Sequence, residues 1–251
     1  MRALVLSDIH ANIEALDAVL ETAPREAYDR LFVLGDLVGY GASPNEVVDR
    51  VYALEPDVLI RGNHDKVASG LEEPHHFNHV AAQAATWTFG ALSAINRERV
   101  AALPCGPVAV DGVVEVCHGT PFDEDVYVFD HDDAARALDA ATGRICFFGH
   151  THLPVAFLRR DASSDLDVVV PELGAPDPTV VPLEDEPRYL INPGSVGQPR
   201  DGDPRAAYAV YDDEAAQVEI VRVPYRVDVA QQKIIDANLP ESLARRLGVG
   251  R

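Results

Sequence analysis

Five short apolar runs, each followed by side chains that can bind metals, constrain this 251-residue chain more than any other feature. The runs are ALVLS, LFVLG, VLIRG, VVEVC and ICFFG, and their β-branched and aromatic residues are typical of buried parallel strands. In an open α/β sheet, ligands gather at the carboxyl ends of the strands. We therefore expect one site, assembled from distant parts of the chain. The side chains that would form it are Asp8, His10, Asp36, Asn63, His118, His150 and His152.

The number of candidate ligands indicates two metal ions. A single tetrahedral ion needs three or four ligands, whereas seven suit two ions about 3.5–4 Å apart that share a carboxylate. Asp36 is the natural bridge because it stands alone on its turn and has two carboxylate oxygens. Mixed oxygen and imidazole ligands favour manganese, iron or zinc. We expect two divalent ions, manganese first, with iron, nickel, zinc or magnesium as alternatives.

Each motif taken alone has a simpler interpretation. Gly-Asp after a strand is common in ordinary turns, and a lone His on a loop is usually solvated. Five such motifs in this order, each behind a strand, favour the metal site instead. His64 follows Asn63 directly and cannot easily reach the same ion, so we expect it to contact substrate.

Together these motifs resemble those of the calcineurin-like metallophosphoesterase superfamily, in its branch of small bacterial and archaeal phosphoesterases. The matching segments are SDIHAN (7–12), GDLVGYG (35–41), RGNHD (61–65), CHGTP (117–121), GHTH (149–152) and INPGSVGQPR (191–200). The resemblance implies two ligand shells that share one carboxylate. The first shell is Asp8, His10, Asp36 and His152, and the second is Asp36, Asn63, His118 and His150.

Three further residues are candidates for the chemistry. The resemblance implies that His64 contacts the phosphoryl group or protonates the leaving oxygen, and that Asp65 orients it. Arg200 has two interpretations of equal weight. It binds a phosphate oxygen of the substrate, or it is a surface residue paired with Asp201 or Asp203.

A chain of this length can form one domain with two packed sheets and flanking helices. We expect an α/β fold, a four-layer αββα sandwich of two mostly mixed β-sheets. Residues 1–251 would form a single domain with a helical, cap-like insertion near 66–103 and a C-terminal helical tail at 227–251. Further helices are predicted at 13–22, 44–54 and 131–141. After residue 152, strands are predicted at 155–159, 166–170, 179–182, 189–192, 206–211 and 218–223.

The insertion carries three histidines, His75, His76 and His79. They could form a third metal site, or they could be exposed polar residues of a helical cap. We favour the second interpretation because no accompanying carboxylate pattern of a known site is present.

The amino-acid composition limits the classes of binding partner and the cellular compartment that we expect. Acidic residues exceed basic residues by 20, and such a surface repels long nucleic acids. No apolar run approaches the roughly 18 residues of a membrane span, and the first strand begins at Arg2, so we expect neither membrane binding nor a signal peptide. Cys105, Cys117 and Cys146 show no CxxC spacing, which favours a reducing cytoplasm. A homo-oligomer is compatible with the sequence.

We expect a metal-dependent hydrolase of phosphoester bonds, a phosphodiesterase or phosphatase that uses a metal-bridging hydroxide on a small or nucleotide-like substrate. The first alternative is a dinucleoside polyphosphate hydrolase or a nuclease, and the second is a catalytically silent scaffold of the same fold. The acidic composition argues against a nuclease, and the complete ligand set argues against a scaffold. Residues 37–40 lack the Arg that the protein-phosphatase branch carries after Gly-Asp, which argues against phosphoprotein substrates.

Overall fold

Twelve strands and eight α-helices make up the described part of the chain, residues 1–161 and 165–251 of a computed structural model. The strands are β1 (Arg2–Leu6), β2 (Arg30–Val33), β3 (Val58–Leu59), β4 (Val108–Ala109), β5 (Val114–Val116), β6 (Ile145–Phe147), β7 (Val155–Arg159), β8 (Asp167–Val169), β9 (Thr179–Pro182), β10 (Arg188–Asn192), β11 (Ala206–Asp212) and β12 (Gln217–Val223). The helices are α1 (Ile13–Thr22), α2 (Pro44–Ala53), α3 (Asn63–Ser69), α4 (His79–Ala91), α5 (Ala94–Ala101), α6 (His131–Ala140), α7 (Val227–Asp236) and α8 (Glu241–Leu247).

The strands form two six-stranded mixed sheets. The first has the order β3-β2-β1-β11-β12-β9, with β1, β2 and β3 parallel and β11 antiparallel to β1. The second has the order β4-β5-β6-β10-β7-β8, with β5, β6 and β10 parallel and β7 antiparallel to β10. The parallel strands therefore lie in the middle of the second sheet and in one half of the first. These are the strands that the site motifs follow.

The two sheets pack face to face, and helices cover their outer faces. Val5 and Phe32 of the first sheet share one buried core with Phe147, Tyr189 and Ile191 of the second. The opposite face of the first sheet packs against the apolar faces of α1 and α2, and the opposite face of the second packs against α6. Burial of these faces on both sides of each sheet supplies the main favourable free energy of such a fold. The predicted four-layer αββα sandwich is confirmed.

Local sequence signals account for several helix starts. The Asn12 Oδ1 atom accepts a hydrogen bond from the backbone N–H of Ala15 at 3.1 Å, which satisfies a free donor at the start of α1. Pro44 occupies the first turn of α2, where its missing N–H has no consequence. In the described part of the chain, none of the helices has both the length and the apolar character needed to cross a membrane.

The predicted insertion near residues 66–103 contains α4 and α5. Helix α4 packs most closely against α3 and also contacts α2. Its Ala81 and Ala84 share a buried apolar cluster with Ile234 of α7 and Leu243 of α8. The loop that precedes α4 contacts the predicted site through Phe77.

Candidate metal centre

The carboxyl ends of parallel strands from both sheets meet at one edge of the sandwich, and all seven predicted ligands lie there. Four of the ligands follow strands of the first sheet, namely β1, β2 and β3. The other three follow β5 and β6 of the second sheet. Every one of these side chains is buried. From the first sheet come Asp8, His10, Asp36 and Asn63, and from the second come His118, His150 and His152.

Six of these side chains form two overlapping groups of potential ligand atoms. Within each group the atoms lie within 4.8 Å of one another. The first group is Asp8, His10, Asp36 and His152, and the second is Asp36, His118 and His150. Asn63 joins the second group, because its Oδ1 atom lies 3.3 Å from His118 Nε2. The composition of the two groups therefore agrees with the two predicted shells.

Asp36 connects the two groups. Its Oδ2 atom lies 3.6 Å from His10 Nε2 and 3.5 Å from His118 Nε2, and it has no hydrogen-bond donor in the described part of the chain. Its Oδ1 atom accepts the backbone N–H of His64 at 2.8 Å. A buried carboxylate oxygen without a donor is unfavourable. The orphaned oxygen, set between imidazoles, fits a bridging ligand of divalent cations.

Hydrogen bonds to backbone carbonyls orient the imidazoles. In three of them Nδ1 lies at hydrogen-bond distance from a carbonyl oxygen, which leaves the Nε2 lone pair for a metal. The pairs are His10 with Val38, His118 with Leu34 and His152 with Gln198, at 3.0, 2.8 and 2.7 Å. In His150 the arrangement is reversed, since Nε2 lies 3.1 Å from the carbonyl oxygen of Asp125. His150 therefore offers Nδ1.

The turns that carry the ligands have an unusual backbone. Five of the seven ligands have a positive φ, a conformation that costs non-glycine residues about 1–3 kcal/mol each. They are Asp8 (55°), His10 (49°), Asp36 (53°), His150 (66°) and His152 (62°). Gly62 is needed for space, because a Cβ atom there would lie 2.1 Å from Asp36 Oδ1. The surrounding packing holds this strained arrangement in place.

The buried charges depend on one another. Burial lowers the pKa of His118, but the nearby Asp36 carboxylate outweighs it and raises the pKa to about 10. Burial alone would raise the pKa of Asp36, yet the positive charge of His118 holds it well below its usual range. Burial lowers the pKa of His150 to about 3, so this ring is neutral. In the metal-free protein a proton on His118 balances the charge of Asp36, and His118 Nε2 has a lone pair for a metal only once that proton is lost.

His64 lies beside the ligands and not among them. The residue is 4% exposed, and its ring packs between Tyr40 and Phe77 at centroid distances of 4.3 and 4.5 Å. Its Nδ1 atom has no hydrogen-bond partner among the described residues. Burial lowers the pKa of His64 to about 4, against the opposing effect of Asp36. The free protein therefore presents a neutral imidazole.

Asp65 contacts the backbone around His64. Its carboxylate accepts the N–H of Gly62 at 3.0 Å and the N–H of Val38 at 3.2 Å. These bonds tie the start of α3 to the turn after β2. Asp65 therefore fixes the position of His64 through the backbone, because both of its oxygens are engaged away from the ring.

Arg200 reaches the edge of the centre. Its Nη2 atom donates to Gln198 Oε1 at 3.1 Å and lies 3.4 Å from the Tyr40 hydroxyl, and its buried Nε has no partner among the described residues. The acidic residues considered as its partners are paired elsewhere, Asp201 with Arg222 and Asp203 with Arg205. The interpretation of Arg200 as half of a surface ion pair is therefore wrong.

A cavity of about 330 Å³ adjoins the second group. It is bounded by two ligands and by two aromatic side chains that sequence reasoning missed, Phe77 and Tyr127. The Tyr127 ring stacks on His150 at a centroid distance of 3.7 Å. The lining residues are Asn63, Val67, Glu72, Glu73, His76, Phe77, Asp125, Tyr127 and His150. An isolated aromatic residue in a loop carries no local pattern that would have indicated this role.

Three further sets of residues complete the description of the site and its surroundings. His75, His76 and His79 are exposed and belong to neither group of clustered ligand atoms in the described part of the chain. The turn 192–195 supports the site, because Ser195 Oγ donates to the carbonyl of Asp8 at 2.7 Å. Cys117 and Cys146 are buried within strand packing, with their sulfur atoms 3.7 Å apart.

Comparison with known proteins extends this description. Residues 1–215 match the family model of the calcineurin-like phosphoesterase superfamily domain. An uncharacterized protein of Methanocaldococcus jannaschii is 35% identical over 252 residues, which cover 98% of this chain and 97% of that protein. The crystal structure of a metallophosphoesterase from Sphaerobacter thermophilus is 40% identical, has a TM-score of 0.87 and covers 100% of this chain and 99% of its own. A hypothetical protein from Pyrococcus horikoshii OT3 shares the fold, with a TM-score of 0.77, 20% identity and coverage of 100% and 98%.

Proposed function

This chain belongs to the calcineurin-like phosphoesterase superfamily, and from that premise we propose that it is a metal-dependent phosphodiesterase or phosphatase acting on small or nucleotide-like substrates. The observation that carries the proposal is the orphaned Oδ2 of Asp36, set between the imidazoles of His10 and His118. A buried anion with this surrounding is suited to bridge two cations.

We propose two divalent ions, with manganese as the first candidate. The first would be held by Asp8, His10, Asp36 and His152, and the second by Asp36, Asn63, His118 and His150. When bound, such ions lower the pKa of coordinated water and offset negative charge on a phosphoryl group. The residues of the chain contribute the orientation of the imidazoles and the exclusion of bulk water from the buried ligands.

His64 is proposed to act on the substrate. A neutral imidazole donates one hydrogen bond, so His64 first serves as a contact to a phosphoryl oxygen. To protonate a leaving oxygen, the ring must gain a proton, and an anionic substrate beside it raises its pKa from about 4. The packing between Tyr40 and Phe77 holds the ring in one orientation for either role.

The shape and charge of the cavity favour a small substrate. Its volume of about 330 Å³ lies at the lower end of the range for small-ligand sites. Phe77 and Tyr127 offer aromatic surface to a planar or apolar leaving group next to the ligands. Glu72 and Glu73 at the same cavity, with the net charge of −20, disfavour a long polyanion.

The test is a comparison of specificity constants at saturating manganese. The substrates are bis-p-nitrophenyl phosphate, p-nitrophenyl phosphate, a dinucleoside polyphosphate, a phosphopeptide and single-stranded DNA, with each metal tested in turn. We expect the first three to be hydrolysed best and chelation to abolish the activity. Failure of the metal-loaded protein to cleave any ester would refute the proposed activity. A highest value for phosphopeptide or DNA would refute the proposed substrate class.

A further inference from the structure

Lys66 is a buried cation that joins the two halves of the candidate metal centre. It lies on α3, three residues after Asn63, and the residue is 7% exposed. Its ammonium group contacts three carboxylates, those of Asp125 at 2.7 Å, Glu72 at 3.1 Å and Glu124 at 3.1 Å. Glu124 and Asp125 belong to the loop between β5 and α6, which follows a strand of the second sheet. Lys66 therefore connects a helix that follows the first sheet with a loop that follows the second.

The lysine remains charged in this position. Burial lowers the pKa of Lys66, but hydrogen bonds with Asp125, Glu72 and Glu124 outweigh it and raise the pKa above its usual range. Glu124 has a second cation as partner, because Arg61 Nη2 donates to its Oε1 atom at 2.9 Å. In the described part of the chain, Asp125 forms an ion pair with Lys66 alone. The position of Asp125 therefore depends on Lys66 more than that of Glu124 does.

Asp125 also orients a candidate ligand. Its carbonyl oxygen lies 3.1 Å from Nε2 of His150, which leaves Nδ1 of that ring for a metal. The Tyr127 ring stacks on His150 at a centroid distance of 3.7 Å, and the Phe129 ring stacks on Tyr127 at 5.0 Å. Backbone and aromatic contacts from one loop therefore fix the His150 ring.

The loop has little regular structure of its own, so side-chain contacts determine where it lies. Leu34, whose carbonyl orients His118, is tied to β1 by its own backbone N–H at 2.8 Å. The backbone N–H of Asp125 instead donates to Asp123 Oδ1 at 2.9 Å, within the same loop. The carboxylate of Asp125 makes the contact that leads out of the loop, to Lys66 on α3.

Building on the proposed metal centre, we propose that Lys66 is a positioning residue for His150. The ammonium group fixes Asp125, the carbonyl of Asp125 fixes the imidazole, and the imidazole presents Nδ1 to the second ligand group. Lys66 thus acts through another residue and is not a ligand itself. Loss of a hydrogen-bonding partner of a ligating histidine typically weakens metal affinity by about 10–100-fold, so a fixed His150 ring matters for the centre.

The test is nitrogen-15 NMR of the histidine rings in the metal-free full chain. The protein has nine histidines, and the ring signals that disappear in His150→Gln are those of His150. Correlations between ring protons and ring nitrogens distinguish an imidazole protonated on Nε2 from one protonated on Nδ1. In the wild type we expect a single form of His150 with its proton on Nε2, because that atom donates to the carbonyl of Asp125.

Two lysine variants decide the assignment. Lys66→Met removes the charge and should replace the single form of His150 by a mixture of both, while the signals of the other three candidate histidine ligands stay in place. Lys66→Arg keeps the charge and should retain the single form. Lys233→Met is the matched control, because Lys233 is the other lysine of the chain and pairs with Glu14. It should leave the His150 signals unchanged.

A variant of the partner tests the same link from the other side. The Asp125 side chain is 48% exposed, so Asp125→Asn removes the charge at a position that tolerates change and keeps the carbonyl. It should also give a mixture of ring forms, and it decides the question if Lys66→Met does not fold. Manganese titration is the second readout. One of the two dissociation constants should rise about 10–100-fold in Lys66→Met, and the other should not change.

Four results would overturn the inference. They are a wild-type His150 protonated on Nδ1, a single Nε2-protonated form that persists in Lys66→Met and Asp125→Asn, an equal change in all four candidate histidine ligands, and the same change in Lys233→Met. An equal change in all four would show a general loosening of the fold instead of a specific link. Because the ring forms are measured without metal or turnover, failure of the proposed hydrolase activity in the ester assay remains distinguishable from failure of this inference.

Discussion

At the scale of single residues, Asp36 is the side chain on which both groups of ligand atoms depend. The change Asp36→Asn keeps the shape of the side chain and removes its charge. We expect bound manganese per chain to fall by at least half and the hydrolysis of bis-p-nitrophenyl phosphate to fall by about two orders of magnitude or more. Elemental analysis after gel filtration measures the metal. Asp49→Asn, at an exposed position paired with Arg99, is the control and should change neither quantity.

His64 gives the complementary prediction. Its ring lies outside the ligand groups, so His64→Ala should leave the metal content unchanged and lower turnover by about two to four orders of magnitude. Steady-state rates and elemental analysis of the same preparation provide both values. Loss of one ion in this variant would show that His64 is a ligand and would leave the proton donor unassigned.

Residue types differ in how far their roles can be predicted. Asp8 and Asp36 could be assigned from sequence because each directly follows a strand in a short motif, and the fold brings strand ends together. Tyr127 could not be, because its contact with His150 is made by the fold and leaves no local pattern in the sequence.

At the scale of elements, Gly62 at the start of α3 marks the closest approach between helix and ligands. In Gly62→Ala the added methyl group would lie 2.1 Å from Asp36 Oδ1 and 2.6 Å from His118 Cε1. We expect a loss of stability of about 1–3 kcal/mol and a weaker affinity for manganese. Gly90→Ala within α4 is the matched control, because nothing lies within 4 Å of the added atom. Chemical denaturation of the metal-free proteins gives the free energy of unfolding of both variants. Equal values for Gly62→Ala and Gly90→Ala would contradict the close approach at Gly62.

An ion-pair network ties α3 to the loop that bears Tyr127, and it gives a pH prediction. Burial raises the pKa of Glu124, but hydrogen bonds from Arg61, Cys105 and Lys66 outweigh this and lower the pKa from 4.5 to about 2. A carboxyl group with a lowered pKa in the folded protein stabilises the folded state above pH 4.5, and this stabilisation is lost as the pH falls towards 2. After allowance for solvent screening, the free energy of unfolding of the wild type at pH 6 should exceed that of Glu124→Gln by about 2 kcal/mol. Chemical denaturation of both metal-free proteins from pH 6 to 2 should show this difference in free energy of unfolding decreasing. A difference that does not change with pH would contradict the lowered pKa of Glu124.

Helices could be predicted closely where a local signal sets the boundary. Asn12 and Pro44 fix the starts of α1 and α2, and both helices end within one residue of the prediction. The position of α4 could not be predicted in the same way. Its Ala-rich sequence indicates a helix that packs closely against others, but it does not specify that α4 joins a buried cluster with α7 and α8, more than a hundred residues away.

At the scale of the whole molecule, the net charge of −20 opposes compactness. Self-repulsion between surface carboxylates destabilises the folded state, and salt screens it, since the Debye length falls from about 10 Å at 0.1 M to about 3 Å at 1 M. We expect the melting temperature of the metal-free protein to rise by several degrees over that range of sodium chloride. Calorimetric scans in sodium and potassium chloride should agree. A constant or falling melting temperature would show that local ion pairs outweigh the net repulsion.

The order of the ligands along the chain has a consequence for biogenesis. Contacts within the first group connect positions 142 residues apart, as in the pair His10 and His152. The second group likewise needs both Asp36 and His150. A nascent chain that has left the ribosome only as far as β6 lacks one ligand of each group. It also lacks the strands β10 and β11, which complete the sheets. Contacts between residues far apart in the chain form slowly. The metal ions should therefore bind late, after both sheets of the sandwich are complete. Chains truncated before residue 149 should bind manganese no better than the unfolded protein does in equilibrium dialysis.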